Sequence, residues 1–287
     1  MRWPPFQHIF FDCDSTLTTV EGIDALADAA GKGWRVSVLT EAAMNGQLDL
    51  EEVYAKRLEA VRPTRGQIRA IRQIYKQNIV PDSVETIGAM QHLGLQVYIV
   101  SGGLAEPVIE FGNYLGIPRQ NIRGVGIEYD QLSGEWWQQV DEEQNPNEQF
   151  MTYNDDPLVV SDGKALIIQE FLRNTTGRSL LIGDGVSDLL ASHAVDLFVG
   201  FGGITSRPKV RAESPLFIKS PTLAPLLAIA LGPAGLLGLV QTDFHQISET
   251  SIQLILDGAL EFQSEKLKDK FDKAWNAAYP TLHSGSN

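Results

Sequence analysis

Asp12 and Asp14 stand two residues apart at the end of the apolar run His8-Ile9-Phe10-Phe11. The stretch Phe11-Asp12-Cys13-Asp14-Ser15-Thr16 reads as a buried strand that stops abruptly in carboxylates and hydroxyls. Successive strand residues face opposite ways, but where a strand gives way to a loop both carboxylates can turn toward one site. One carboxylate there can attack phosphorus, while a second protonates the leaving oxygen and then deprotonates water. Two such charges repel unless a cation sits between them, and Mg²⁺ prefers oxygen ligands of this kind. A solvated turn after a strand explains the pair alone equally well, so the reading depends on three motifs downstream.

Val97-Tyr98-Ile99-Val100 runs into Ser101-Gly102-Gly103, a hydroxyl and small-residue amides able to cradle a phosphate, although the same triplet also makes an ordinary turn. Lys164, in Ser161-Asp162-Gly163-Lys164 before the helical pattern Ala165-Leu166-Ile167-Ile168, would by itself be a solvated surface charge. Leu180-Leu181-Ile182 breaks into Gly183-Asp184-Gly185, with Asp188 four residues after Asp184. A tight turn needs only the glycines; two aspartates make a better acidic metal site than a turn requires.

The elements that would hold these residues follow from hydrophobic pattern. His8 to Phe11, Gln96 to Val100, Ser179 to Ile182 and Asp196 to Val199 look like central strands of a parallel sheet, separated by helical patterns such as Ser83 to Leu93 and Leu104 to Leu115. The fold class expected is α/β, a Rossmann-like doubly wound parallel sheet, with ligands at the carboxyl ends of its strands. Residues 18–78 interrupt the alternation with helical stretches, Leu50 to Ala60 and Arg65 to Gln77, and read as a small helical cap inserted after the first strand. Residues 1–17 and 79–232 would form the core, and residues 233–287 a C-terminal helical extension that packs on the core, joins two subunits or forms a lid. Gly124 to Gln139 alternates polar and apolar residues around Ser133-Gly134 like a β-hairpin, with Trp136 and Trp137 as packing residues. Asp141 to Glu148 reads as an exposed acidic loop.

Taken in order, Asp12-x-Asp14-Ser15-Thr16, Ser101-Gly102-Gly103, Lys164 and Gly183-Asp184-Gly185-x-x-Asp188 resemble the four motifs of the haloacid dehalogenase superfamily, the aspartate-nucleophile phosphatases. Within it the chain resembles the phosphoserine phosphatases, through Glu21-Gly22-Ile23-Asp24, Thr40, Met44-Asn45-Gly46, Arg57-Leu58, and Phe201-Gly202-Gly203 followed by Arg207. The likeness spans about residues 6 to 225. It implies Asp12 as nucleophile and Asp14 as acid and base, with Mg²⁺ on the Asp12 side chain, the Asp14 backbone carbonyl and Asp184, and Asp188 in support. Lys164 and Ser101 would hold phosphate oxygens, with Gly102, Gly103 and Ser187 around them. Glu21 would take a substrate ammonium and Arg57 a carboxylate; Met44 and Leu50 would line the apolar side; Arg207 would assist cap closure or substrate binding. O-phospho-L-serine, in serine biosynthesis, is then the leading substrate. Asp14 supplies the acid/base that haloacid dehalogenases lack, which favours a phosphatase. Ser187 stands where these enzymes more often carry Asn or Thr, and Leu104-Ala105 where they carry Phe-Arg. Another small metabolite phosphate, a phosphotransferase or phosphomutase, and a non-catalytic phosphate-binding module are the competing readings.

Composition sets bounds. A chain of 287 residues can bury a sizeable core, and a formal charge of −13 without any Lys/Arg run argues against a nucleic-acid partner. One cysteine, Cys13, rules out an internal disulfide framework and fits a reducing cytoplasmic setting, and strand alternation should turn it into the core. Met1 to Gln7 lacks the apolar stretch of a signal peptide, and Leu223 to Val240 is broken by Pro225, Gly232-Pro233, Gly235 and Gly238, which favours buried helix and loop over a membrane span.

Overall fold

Runs of apolar residues too short for a stable helix become strands buried on both faces, as a parallel sheet requires. In the computed structural model, which describes residues 3–45, 47–48, 50–133, 145–154 and 156–280, β1 (His8–Phe11), β6 (Ser179–Gly183) and β7 (Leu197–Phe201) are buried at every position. With β2 (Gln96–Leu104), β3 (Ile122–Val125), β8 (Leu216–Ile218) and β9 (Leu260–Phe262) they form a seven-stranded sheet in the order β3-β2-β1-β6-β7-β8-β9. All pairs are parallel except β8 with β9. The chain winds outward from β1 through β2 and β3, then outward on the other side from β6. The reversal leaves a crevice at the carboxyl end of β1, where open α/β sheets bind ligands. Asp12 follows directly.

Helices α5 (Ser83–His92), α6 (Ala105–Tyr114) and α7 (Gly163–Leu172) connect these strands. Between β1 and α5 lie α1 (Gly22–Ala29), α2 (Gly33–Met44), α3 (Leu50–Val61) and α4 (Arg65–Gln77), matching the helical interruption read from sequence. Thr64 and Gln67 form a reciprocal capping box at the start of α4, whose Ile68, Ile71 and Tyr75 fall on one buried face. The chain leaves and rejoins the sheet at one place. Thr18 bridges Ile79, the Thr19 amide donates to the Asn78 carbonyl (2.8 Å), and the Val80 amide to Leu17 (3.0 Å). Ion pairs tie α4 to α6: Arg69 to Glu106 (2.9 Å) and Arg72 to Glu110 (2.6 Å).

Two details depart from expectation, and a third falls partly outside the described residues. The returning half of the expected hairpin, with Trp136 and Trp137, lies outside the described residues. What pairs with β4 (Ile127–Asp130) is the antiparallel β5 (Gln149–Tyr153). In the expected exposed acidic loop, Asn145 and Glu148 are buried, because Glu148 receives Arg65 (3.1 Å). The C-terminal part is helical in α11 (His245–Leu256) and α12 (Glu265–Ala278), but Leu260 and Phe262, spaced as if helical, belong to β9. Gly258, with φ of 81°, ends α11 and frees the next residues to extend along β8. This segment is built into the core: Phe271 packs edge-on against Trp3 with ring centroids 5.2 Å apart, and Trp275 is buried beside it. Residues 223–240 form α10 (Leu226–Ala230) and a 3-10 turn at Pro233–Leu239, and no helix among the described residues is long and apolar enough to cross a membrane.

Candidate active site

The loop after β1 turns Asp12 and Asp14 inward, while Cys13 between them is buried and its thiol is pushed up by burial and the adjacent carboxylates, an inert core sulfur. Asp12 lies at the mouth of the sheet, its amide bonded to the Ile182 carbonyl of β6 (3.0 Å). Lys164 reaches it from the first turn of α7, with Nζ 2.8 Å from Asp12 and 2.6 Å from Asp188. Burial works against the ammonium, but the two carboxylates outweigh it and hold the lysine more firmly charged than usual. The position of Lys164 depends on Gly163, where a Cβ would sit 1.6 Å from the Pro157 carbonyl oxygen. No other residue fits.

Asp184 and Asp188 descend from the end of β6 and α8 (Val186–Leu190). One carboxylate oxygen from each of Asp12, Asp184 and Asp188 lies within 4.8 Å of the others, and all three residues are buried. Thr16 donates toward Asp184 (3.4 Å), Arg207 binds its other oxygen (3.0 Å), and the Gly185 amide donates to Asp188 (3.1 Å). Burial, together with neighbouring acids, pushes Asp184 and Asp188 each up to about 7. This all-oxygen, buried and mutually repelling donor set suits a hard divalent cation such as Mg²⁺ and offers no imidazole or thiolate for a softer one.

Asp14 is not in that cluster. Burial pushes its carboxyl up to about 7, a hydrogen bond from the Tyr75 hydroxyl opposes this, and Asp12 adds to it. The Gly22 amide is 3.4 Å from Asp14 Oδ2, while Oδ1 has no hydrogen-bond partner. A carboxyl of this kind, buried and near neutrality, is suited to gaining and losing a proton at physiological pH.

Asp12, Asp14 and Lys164 open into a cavity of about 60 Å³ shared with Glu21, Arg57, Ser101, Gly102, Gly103 and Ser187. Ser101 receives the Gly103 amide (3.0 Å). Glu21 is gripped by Ser15 (2.8 Å), a serine held at the rarely populated φ of 55°. Burial and then Asp14 push Glu21 up to about 8. Arg57, buried on α3, donates to Thr40 (3.1 Å), which donates to Asp24 (2.7 Å); burial lowers the guanidinium from its usual range, with Glu21 opposing. Two expected substrate residues, Met44 and Leu50, have side chains outside those described. Arg207 is turned to Asp184 and does not line the cavity. Sequence reasoning passed over Tyr54, Tyr75, Leu158 and Val160, of which all but Tyr75 line the cavity. The i, i+3, i+4 spacing of Tyr54, Arg57 and Leu58 carried a signal for the first; Tyr75 reads as an ordinary core position of α4.

A doubly wound sheet gathering buried aspartates and a lysine at the carboxyl ends of its neighbouring strands β1 and β6 defines a class. The family model for haloacid dehalogenase-like hydrolases matches residues 6–196, and the chain belongs to that family. Within it the chain is phosphoserine phosphatase-like, a phosphoric monoester hydrolase. It is 33% identical to the phosphoserine phosphatase of Drosophila melanogaster over 215 residues, 74% of each protein. The fold is shared with a phosphoserine phosphohydrolase-like protein from Francisella tularensis (TM-score 0.64, 23% identity, 75% of this chain and 95% of that one). It is also shared with a phosphoserine phosphatase solved as a phospho-aspartyl intermediate analogue (TM-score 0.63, 21% identity, 78% and 98%).

Proposed function

We propose that the protein is a Mg²⁺-dependent phosphatase that hydrolyses O-phospho-L-serine through an aspartyl-phosphate on Asp12. The observation that carries this reading is one small cavity holding both a reactive pair, Asp12 and Asp14, and a carboxyl and a guanidinium suited to an amino acid, Glu21 and Arg57. Asp12 attacks phosphorus, and Asp14, protonated near neutrality, gives its proton to the departing serine alkoxide. Asp14 then takes a proton from water, which attacks the phosphorylated aspartate and restores Asp12. Lys164, Ser101 and the amides of Gly102 and Gly103 balance charge spreading over the phosphoryl oxygens, with Ser187 at the rim. The Asp12, Asp184 and Asp188 side chains and the Asp14 backbone carbonyl would hold Mg²⁺, which when bound neutralises phosphoryl charge. Arg207 keeps Asp184 oriented from behind.

In the cap formed by residues 18–78, Glu21 accepts the substrate ammonium and Arg57 binds its carboxylate, with Met44 and Leu50 on the apolar side. Support also comes from the Drosophila relative's identity and from the captured phospho-aspartyl analogue of a protein sharing this fold. A role in serine biosynthesis follows from the same reading. The test is kcat/KM for phosphoserine against a panel of small phosphate esters, with and without Mg²⁺ and with added acceptor alcohols. Phosphoserine should lead, release should need Mg²⁺, and Asp12→Asn should abolish turnover. Full activity in Asp12→Asn overturns the mechanism; a poor rate on phosphoserine, or Arg57→Ala without effect on it, overturns the substrate.

A further inference from the structure

Tyr54 lies on α3 one turn before Arg57 and Leu58, so the helical repeat puts all three on the face turned toward the cavity. Its side chain is 5% exposed and lines the catalytic cavity, yet its hydroxyl has no hydrogen-bond partner. Buried tyrosine hydroxyls usually find one, and leaving one unpaired costs stability. The ring is fixed: Tyr153 meets it edge-on at 5.3 Å, and the Arg57 guanidinium lies 5.6 Å from its centroid. Arg57 repeats the pattern, because one terminal nitrogen is engaged by Thr40 while its Nε is buried and unpartnered. Two unsatisfied donors thus border one cavity, one neutral and one charged. The group that satisfies both is an acceptor with two oxygens and a negative charge, a carboxylate.

We propose that Tyr54 is a specificity-determining residue: its hydroxyl and Arg57 together clamp a carboxylate on the organic part of the substrate. That the carboxylate belongs to phosphoserine rests on the function proposed above; the clamp itself would serve any phosphate ester of a hydroxy acid. A site built around such donors discriminates strongly against an ester lacking the acceptor, because the donors then stay buried and unpaired.

The experiment compares wild type with Tyr54→Phe on phosphoserine, phospholactate and phosphoethanolamine at saturating Mg²⁺. Phospholactate keeps the carboxylate without the ammonium, and phosphoethanolamine the reverse. Tyr54→Phe should lower kcat/KM about ten- to a hundredfold on both carboxylate esters, mainly through KM, and leave phosphoethanolamine within about twofold. Each ratio is taken on one preparation, so any loss of folded enzyme cancels. An equal loss on all three esters, or none on the carboxylate esters, overturns the clamp whatever the ranking in wild type. Wild type preferring phospholactate to phosphoserine, with the selective loss intact, overturns the phosphoserine reading and leaves the clamp standing. Wild type preferring phosphoethanolamine to both overturns the two together.

Discussion

Gly22 shows how closely single atoms constrain this site. A Cβ there would lie 2.3 Å from the Tyr75 hydroxyl, the group that hydrogen-bonds Asp14. Gly22→Ala should therefore push Tyr75 off Asp14, costing about 1–3 kcal/mol of stability and lowering kcat about tenfold or more. Denaturant melts and steady-state kinetics check both, and a variant with unchanged kcat would show that Tyr75 does not tune Asp14. The buried acids also set a pH dependence. A carboxyl pushed up in the fold binds more protons there than in the unfolded chain. For Glu21, raised from 4.5 to about 8, the stabilising contribution is full below pH 4.5 and is lost as pH climbs toward 8. Asp14, Asp184 and Asp188, each raised from 3.8 to about 7, act in the same direction. In chelator the melting temperature should fall by roughly 5 °C or more between pH 5 and pH 8. Glu21→Gln should make that fall shallower, and added Mg²⁺ should offset it. A flat profile for wild type in chelator would contradict the assigned burial.

Among the elements, two ion pairs made by α4, one to α6 and one to the loop before β5, look alike but differ in cost. Arg72 and Glu110 are both about 40% exposed, whereas Glu148, the partner of Arg65, is 3% exposed. Arg72→Ala should cost under about 1 kcal/mol, and Arg65→Ala about 3 kcal/mol, because it strands a buried carboxylate. Chemical denaturation separates the two, and equal losses would show that burial does not set the difference. The same contrast between strong and weak local signals explains what the sequence made readable. Helices α3 and α4 were legible because their apolar period runs for three turns. The four strands that carry or flank the motifs were legible as continuous apolar runs. β5, β8 and β9 were not, since three to five residues carry no period and their pairing is set by distant partners. Asp12, Asp14, Asp184 and Lys164 stood out because charge beside an apolar run has few structural explanations. Tyr75 was invisible for the opposite reason: a tyrosine on a buried helix face needs no special one.

For the molecule as a whole, the cavity of about 60 Å³ is small beside the roughly 300–1,000 Å³ usual for ligand sites. Movement of the helices between Thr18 and Ile79, which a single backbone bridge joins, would widen it. The C-terminal segment is the fixed part. Phe271, 3% exposed and wedged among Trp3, Phe262 and Trp275, closes the core at both chain ends. Phe271→Ala should cost about 3–5 kcal/mol, and a chain ending at Asp257 should fail to give soluble, folded protein. A truncated chain with wild-type melting and activity would instead make this segment an accessory arm.

The place of β1 at the middle of the sheet has a consequence for how the protein is made. Of the sheet's strands this one is made first, yet its partners are Gln96 to Ile99 on one side and Ser179 to Ile182 on the other. At about 5–20 residues per second, the second partner follows roughly ten to thirty-five seconds later. Through that interval Ile9, Phe10 and Phe11 are presented with one edge or both edges unpaired, while the helices of residues 22–77 can assemble from contacts among neighbours. The segment most thoroughly hidden in the finished enzyme is thus the one that a nascent-chain chaperone has longest to find.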